Sequence, residues 1–219
     1  MIDIAELVNS VAEGNVSKAA ELTRKALDTR IPAKDILDNG LLPAMDRVGI
    51  SFEKGEIFLP ELLMAGDAMK ASIELLRPEL AKKGVPYVGK YLIGVVQGDL
   101  HDIGKDIVIL MLKGNGWSVT DLGIDVSPEQ FCDAVKKGDF DILGLSALLT
   151  FTMSQMTETV NALKAAGLRE RIKVMVGGAP VTQFFADQIG ADAYARDAVE
   201  AVARAKSLLN KRGKQDAKP

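Results

Sequence analysis

The spacing of apolar residues changes once along this chain, and that change constrains the fold more than any single residue does. From residue 1 to about 82 the apolar side chains recur every three or four positions, with no β-branched run that reads as a strand. Beyond residue 90, short β-rich runs alternate with amphipathic segments. The expected fold class is therefore α/β: an N-terminal four-helix bundle, then a five-stranded parallel sheet of flavodoxin-like or Rossmann-like type with helices on both faces. The spacing predicts helices over about 3–12, 15–29, 33–50 and 60–82. Pro32 sits where a first helical turn tolerates proline, and Leu37, Leu41, Met45 and Val48 then share one face. Leu59, Leu62, Gly66, Met69, Ile73, Leu76 and Leu80 form a bundle seam in which Gly66 lets helices approach.

The strand candidates are Tyr91–Val96, Ser118–Leu122, Ile142–Ser146, Lys173–Val176 and Ala191–Tyr194. Between the two patterns, residues 83–90 carry two glycines, a proline and charged residues, and read as a linker able to act as a hinge near Gly84 and Gly89. The expected organisation is a helical domain over 1–82, a linker over 83–90, an α/β domain over 91–210 and a solvated tail over 211–219.

Composition narrows the function. A net charge of −3 and a pI near 5.4 argue against a nucleic-acid surface. Cys132 is the single cysteine, which rules out an internal disulfide framework, a cysteine-rich zinc site and an iron–sulfur ligand set. No apolar run approaches the roughly 20 residues of a membrane span, and the acidic start lacks the charged region of a signal peptide, so a cytoplasmic protein is expected.

His101 is the only histidine in 219 residues, so no multi-histidine cage can form. It can instead be the one protein ligand of a metal already held by a macrocycle. Asp99, two residues earlier in an extended segment, projects to the same side and can orient the ring. In open parallel sheets ligands bind beyond the carboxyl ends of the strands, and three unusual segments fall there. They are the loop after the first strand (Asp99, His101, Asp102, Gly104), the turn after the third (Ser146, Leu148, Thr150, Thr152) and Gly177–Gly178 after the fourth. Each has a plain alternative: a satisfied surface histidine, hydroxyls that cap the next helix, acids at Asp102 and Asp106 that complement a helix N-terminus, and a simple glycine turn. Neither a dinucleotide fingerprint nor a phosphate-binding P-loop is present.

In combination these residues resemble the cobalamin-binding fold shared by methionine synthase and the small corrinoid proteins of methyltransferase systems. The signature D-x-H-x-x-G, then S-x-L, then G-G is matched by Asp99, His101 and Gly104, by Ser146 and Leu148, and by Gly177 and Gly178. The stretch from Met45 to Glu61 looks like the helical cap module of the methyl-transferring branch. The resemblance implies a cobalamin cofactor (methylcobalamin, cob(I)alamin or a related corrinoid) bound base-off, with His101 as the cobalt axial ligand. Asp99 and Thr152 would form the proton relay behind it, Thr152 standing where methionine synthase has serine. Ser146 and Thr150 would contact the nucleotide base, Gly104, Gly177 and Gly178 would flank the tail, and Asp102 and Leu148 would complete the site. Phe52 and Leu59 match residues that cap the upper, methyl-bearing face, although bundle core explains both equally well.

The function so implied is a stand-alone methyl carrier, not an enzyme by itself. Its expected partners are a methyl-donor:corrinoid methyltransferase, a corrinoid:acceptor methyltransferase serving tetrahydrofolate or coenzyme M, and a reactivating reductase, with no nucleic acid or membrane. The alternatives are the cobalamin-binding subunit of a radical mutase, which normally lacks a helical cap, a cobalamin-dependent sensor or regulator, and a cofactor-free flavodoxin-like interaction domain.

Overall fold

The computed structural model of the protein describes residues 3–82 and 87–215. The chain forms two compact units that divide between Tyr87 and Val88, except that the short segment Lys113–Gly116 groups with the first. Gly84, part of the expected hinge, lies outside the described residues.

The first unit is all helical: α1 (Ile4–Ala12), α2 (Val16–Asp28), α3 (Ala33–Ile36), α4 (Leu42–Glu53) and α5 (Leu59–Lys82). Asp3 and Asn15 accept backbone N–H bonds from Ala5 and Lys18 and so start α1 and α2. The expected third helix is one helical run from 33 to 53 with a π segment over Leu37–Leu41 between α3 and α4. Pro43 explains the insertion. It has no N–H to offer Asn39, and its ring presses on that carbonyl, so the run widens to the Leu42 N–H to Leu37 carbonyl bond. Along α5, Leu62, Gly66, Met69 and Leu76 of the seam are buried and Leu59, Ile73 and Leu80 half-buried.

The second unit is a five-stranded, all-parallel sheet of β1 (Lys90–Val95), β2 (Ser118–Asp121), β3 (Ile142–Ser146), β4 (Lys173–Gly177) and β5 (Ala193–Ala195), in the order β2-β1-β3-β4-β5. Helices α6 (Ile103–Gly114), α7 (Pro128–Lys137), α8 (Met153–Ala165), α9 (Gln183–Ile189) and α10 (Ala198–Gln215) follow the strands in turn. Burial of five successive β1 residues is what a parallel strand covered on both faces requires. One sheet face packs Leu92, Leu143, Leu145, Val174 and Val176 against Phe131 of α7, Met156 and Val160 of α8 and Ile189 of α9. The right-handed β1–α6–β2 crossover puts α6 on the other face, where α10 also lies, its Leu209 reaching Gly89 beside Trp117.

Local chemistry sets several boundaries. Ser127 and Gln130 form a reciprocal capping box at α7, and Gly190, at φ 79°, ends α9. β5 begins at Ala193 rather than Ala191, because Asp192 is occupied at the strand entry, its carboxylate accepting from Val174 N–H and from Arg169. Gly89 is a packed position of this unit: a Cβ there would sit 2.7 Å from both Trp117 and Leu209. Cys132 lies in the core, where burial pushes its thiol up.

Candidate functional site

The site is built on the carboxyl edge of the sheet, where strand order reverses between β1 and β3. Asp99 follows β1 and is fully buried. Its Oδ1 accepts the His101 backbone N–H at 3.2 Å and faces His101 Nδ1 at 2.7 Å. Its Oδ2 accepts the Leu148 N–H at 2.7 Å, the Leu149 N–H at 3.2 Å and the Thr152 hydroxyl at 2.7 Å. Burial alone would raise the Asp99 pKa. The hydrogen bonds from His101, Thr152 and the Leu148 amide outweigh it and hold the carboxyl well below the usual carboxylate range.

An ionised carboxylate only accepts, so in the neutral ring Nδ1 of His101 carries the proton and donates it to Asp99, which places the lone pair on Nε2. The His101 side chain is half exposed, and Nε2 is the one strong ligand atom this loop offers. Among the described residues no group of three or more His, Cys, Asp or Glu side chains could hold a metal ion. A metal at His101 must therefore bring its other ligands with it.

The hydroxyls divide. Thr152 occupies the cap position of α8 yet makes no side-chain cap; its buried hydroxyl goes to Asp99 and to the Leu149 carbonyl, 2.8 Å away. Thr150 is exposed on the turn. Ser146 ends β3 half-buried, in register with Val95, Gly177 and Ala195. Asp102 is exposed just before α6, its carbonyl accepting the Asp106 N–H. Leu148 is exposed but gives its amide to Asp99. Gly178 is required by the backbone: φ is 130°, and a Cβ would fall 1.8 Å from the Ala147 carbonyl oxygen. At Gly104 a Cβ would meet nothing within 4 Å. Phe52 closes α4 and Leu59 opens α5, each half-buried.

Two supports were not singled out from the sequence. Asp125, at φ 54°, accepts the Gly98 N–H at 2.7 Å and donates its own N–H to the Asp99 carbonyl, fixing the histidine loop from the β2 side. Its signal is weak, since aspartate merely tolerates positive φ better than most residues. Lys105 is buried between Asp106 and Asp121, 2.7 Å from each. Burial would lower its pKa, but these two bonds raise it, so the ammonium persists and ties the first turn of α6 to the end of β2.

The residues fit a corrinoid. A preset imidazole nitrogen faces outward, Gly104 leaves open space, and Ser146, Gly177 and Ala195 make one small-residue level on the sheet face. Leu100, Ile103 and Phe151 flank the histidine with 64%, 69% and 69% of their surface exposed, an apolar rim suited to a macrocycle. The fold and the site together define a corrinoid-binding protein, and comparison with known proteins agrees. Two models, each described as a B12 binding domain, match residues 89–203 and 3–77. Dimethylamine corrinoid protein 3 of Methanosarcina acetivorans is 44% identical over 212 residues, covering 95% of this chain and 100% of that one. A cobalamin-binding protein of Desulfitobacterium hafniense superposes with a TM-score of 0.80 at 33% identity, covering 95% of this chain and 99% of the other. A chain of the methanol:cobalamin methyltransferase complex of Methanosarcina barkeri gives 0.82 at 32% identity, covering 94% and 79%. The chain belongs to the B12-binding corrinoid proteins of methyltransferase systems, and its cofactor is a corrinoid.

Proposed function

We propose that this chain carries methyl groups in a methylamine-using system. It would receive them from a donor-specific methyltransferase and pass them to a second methyltransferase that serves tetrahydrofolate or coenzyme M, with a reactivating reductase as third partner. The name of the dimethylamine relative supports the donor class, and the solved methanol complex supports a methyltransferase as the docking partner. A bound corrinoid supplies a cobalt centre that accepts and releases the methyl group.

The observation that carries the reading is the saturation of Asp99. Five donors hold the carboxylate, and one of them is the imidazole whose Nε2 points away from it. In this reading His101 would hold cobalt through Nε2, in place of the corrinoid's own nucleotide base. Asp99 would fix the tautomer and support the ring proton on Nδ1 as ligation changes, and Thr152 would steady the second carboxylate oxygen. Ser146, Gly177 and Gly178 receive the nucleotide tail, with Gly104 beside it, while Asp102, Leu148 and Thr150 edge the site. Phe52 and Leu59 are assigned to shielding the upper face. The same scheme uses a helical domain over 1–82 and an α/β domain that, against the expected 91–210, starts with β1 at Lys90 and continues through α10 to Gln215, with the linker between them allowing rearrangement during transfer.

The test is the visible spectrum of the protein loaded with hydroxocobalamin beside that of His101→Ala under the same conditions. The proposal expects stoichiometric binding with bands that differ between the two. Identical bands would remove His101 from cobalt, and failure of folded wild-type protein to retain any corrinoid would remove the carrier role.

A further inference from the structure

Below the small-residue level at the sheet edge, the face shared with α6 and α10 closes abruptly. Side chains alternate along the strands, so Ile93, Gly144 and Met175 form the next level down. Gly144 has no side chain, and Tyr91 fills its place: a Cβ there would lie 2.6 Å from Tyr91 Cε1 and 2.7 Å from its hydroxyl. Tyr91 pairs in register with Ile142, two residues deeper, so its ring leans up along the sheet toward the carboxyl edge. It is held there. Trp117 packs edge-on against it, with ring centroids 6.0 Å apart and planes at 86°, and both residues are almost fully buried. Burial pushes the phenol up, so it is neutral at any working pH.

The contrast in accessibility is sharp. Ser146 and Gly177 are half-buried at the upper level, whereas Gly144, Met175 and Tyr91 beneath them are buried. A flat group entering over Ser146 and Gly177 therefore meets the Tyr91 hydroxyl end and Met175 as its lower limit.

We propose that Tyr91 forms the floor of the seat for the corrinoid's nucleotide base and sets how long a base the protein accepts. This rests on the reading that the tail enters the α/β unit beside Ser146 and Gly177. The substituents at the far tip of the base are what the floor would sense, because they travel deepest. Tyr91 acts as a specificity residue and takes no part in methyl transfer.

The experiment titrates apoprotein, followed by the visible corrinoid bands, with three compounds: cobalamin, the analogue with unsubstituted benzimidazole in place of the 5,6-dimethyl base, and cobinamide, which lacks the nucleotide. Tyr91→Leu and Tyr91→Met both shorten the side chain, and circular dichroism checks that each is folded. The expected result is a shift of about tenfold in the affinity ratio toward the dimethyl base in both variants, the scale of a small apolar group gaining room in a pocket. Cobinamide affinity stays constant, and Tyr91→Phe, which takes away only the hydroxyl at the floor, shifts the ratio in the same direction by less than the two shortened variants. A wild type that prefers cobalamin to cobinamide, combined with an unchanged ratio in both shortened variants, would overturn the floor assignment alone. Equal binding of cobinamide and cobalamin by wild type would overturn tail insertion, and the floor with it.

Discussion

Replacing Asp99 with asparagine changes one atom's hydrogen-bonding character, and the geometry dictates how the protein must respond. An amide has one acceptor oxygen and one donor nitrogen, yet the carboxylate serves five donors. Three of them, including the buried Thr152 hydroxyl and the Leu148 amide, sit on Oδ2, so the amide oxygen belongs there. The NH2 group then faces His101 Nδ1, which must become an acceptor, and the ring proton moves to Nε2. The same logic makes a triad histidine adopt the wrong tautomer when its aspartate becomes asparagine. Stability should fall by about 3–5 kcal/mol: about 1–3 kcal/mol for the His101 backbone N–H left facing a donor, and about 1 kcal/mol for each of the two strong Oδ2 bonds, from the Leu148 amide and the Thr152 hydroxyl, reduced from charge-assisted to neutral. Urea unfolding of the apoprotein measures the first effect. The second is read by nitrogen-15 NMR, where the single histidine of the chain makes assignment unambiguous. Asp99→Asn should show Nε2–H where wild type shows Nδ1–H, and should lose histidine-type bands when loaded with cobalamin. A variant that keeps the Nδ1–H tautomer, or loses under about 0.5 kcal/mol, would refute the donor accounting.

Thr152→Val removes a buried hydroxyl from Asp99 while keeping the side-chain shape. It should cost about 1–2 kcal/mol in urea unfolding, the loss of a bond to a charged group less the gain of a buried methyl; a neutral result would mean that the hydroxyl is idle. Lys105→Ala strips the link between α6 and β2 and should cost about 1–3 kcal/mol, a buried-pair value discounted because Asp106 and Asp121 are partly exposed. Glu200 accepts the Arg196 N–H and pairs with Arg204, which lowers its pKa. Its contribution, about 0.5 kcal/mol at a partly screened site, is therefore complete above the ordinary value near 4.3 and disappears as pH falls through the lowered native value. Wild type and Glu200→Gln should accordingly differ in stability at pH 7 and converge in acid. Phe52→Ala should retain cobalamin and speed cyanide exchange at cobalt, measured by stopped-flow absorbance, if the residue shields the upper face.

The division of the chain was legible because period is a local property: a spacing of three and four cannot serve a strand, and five β-rich runs separated by amphipathic stretches leave few topologies. Asp99 and His101 were singled out by spaced motifs and Thr152 by the resemblance to methionine synthase, and the structure brings the three side chains together. What escaped depends on partners distant in sequence. Lys105 reads as an exposed helix charge, and only Asp121, 16 residues on, shows that it is buried. Nothing near Tyr91 announces that it occupies the missing side chain of Gly144. Thr152 invites a helix-cap reading, since hydroxyls before helices usually cap, and it escapes that role because a buried carboxylate is the stronger acceptor. The π segment was missed because helical spacing at Leu37 and Leu41 survives it, the extra residue being absorbed over one turn before Pro43.

The Asp99 node joins the loops after β1 and β3 without help from anything outside the domain. A ligand site assembled in this way exacts no folding toll when its cargo arrives, because the imidazole already stands in one orientation and one protonation pattern. Ordering of the histidine loop should then add no slow phase to loading, so cobinamide, which has no base to displace, should load in a single phase whose rate follows its concentration. The same rigidity has a second edge: in the proposed ligation, a ring anchored through Nδ1 could not leave the metal by its own rotation, so release of cobalt would require a movement of the whole loop or of the macrocycle.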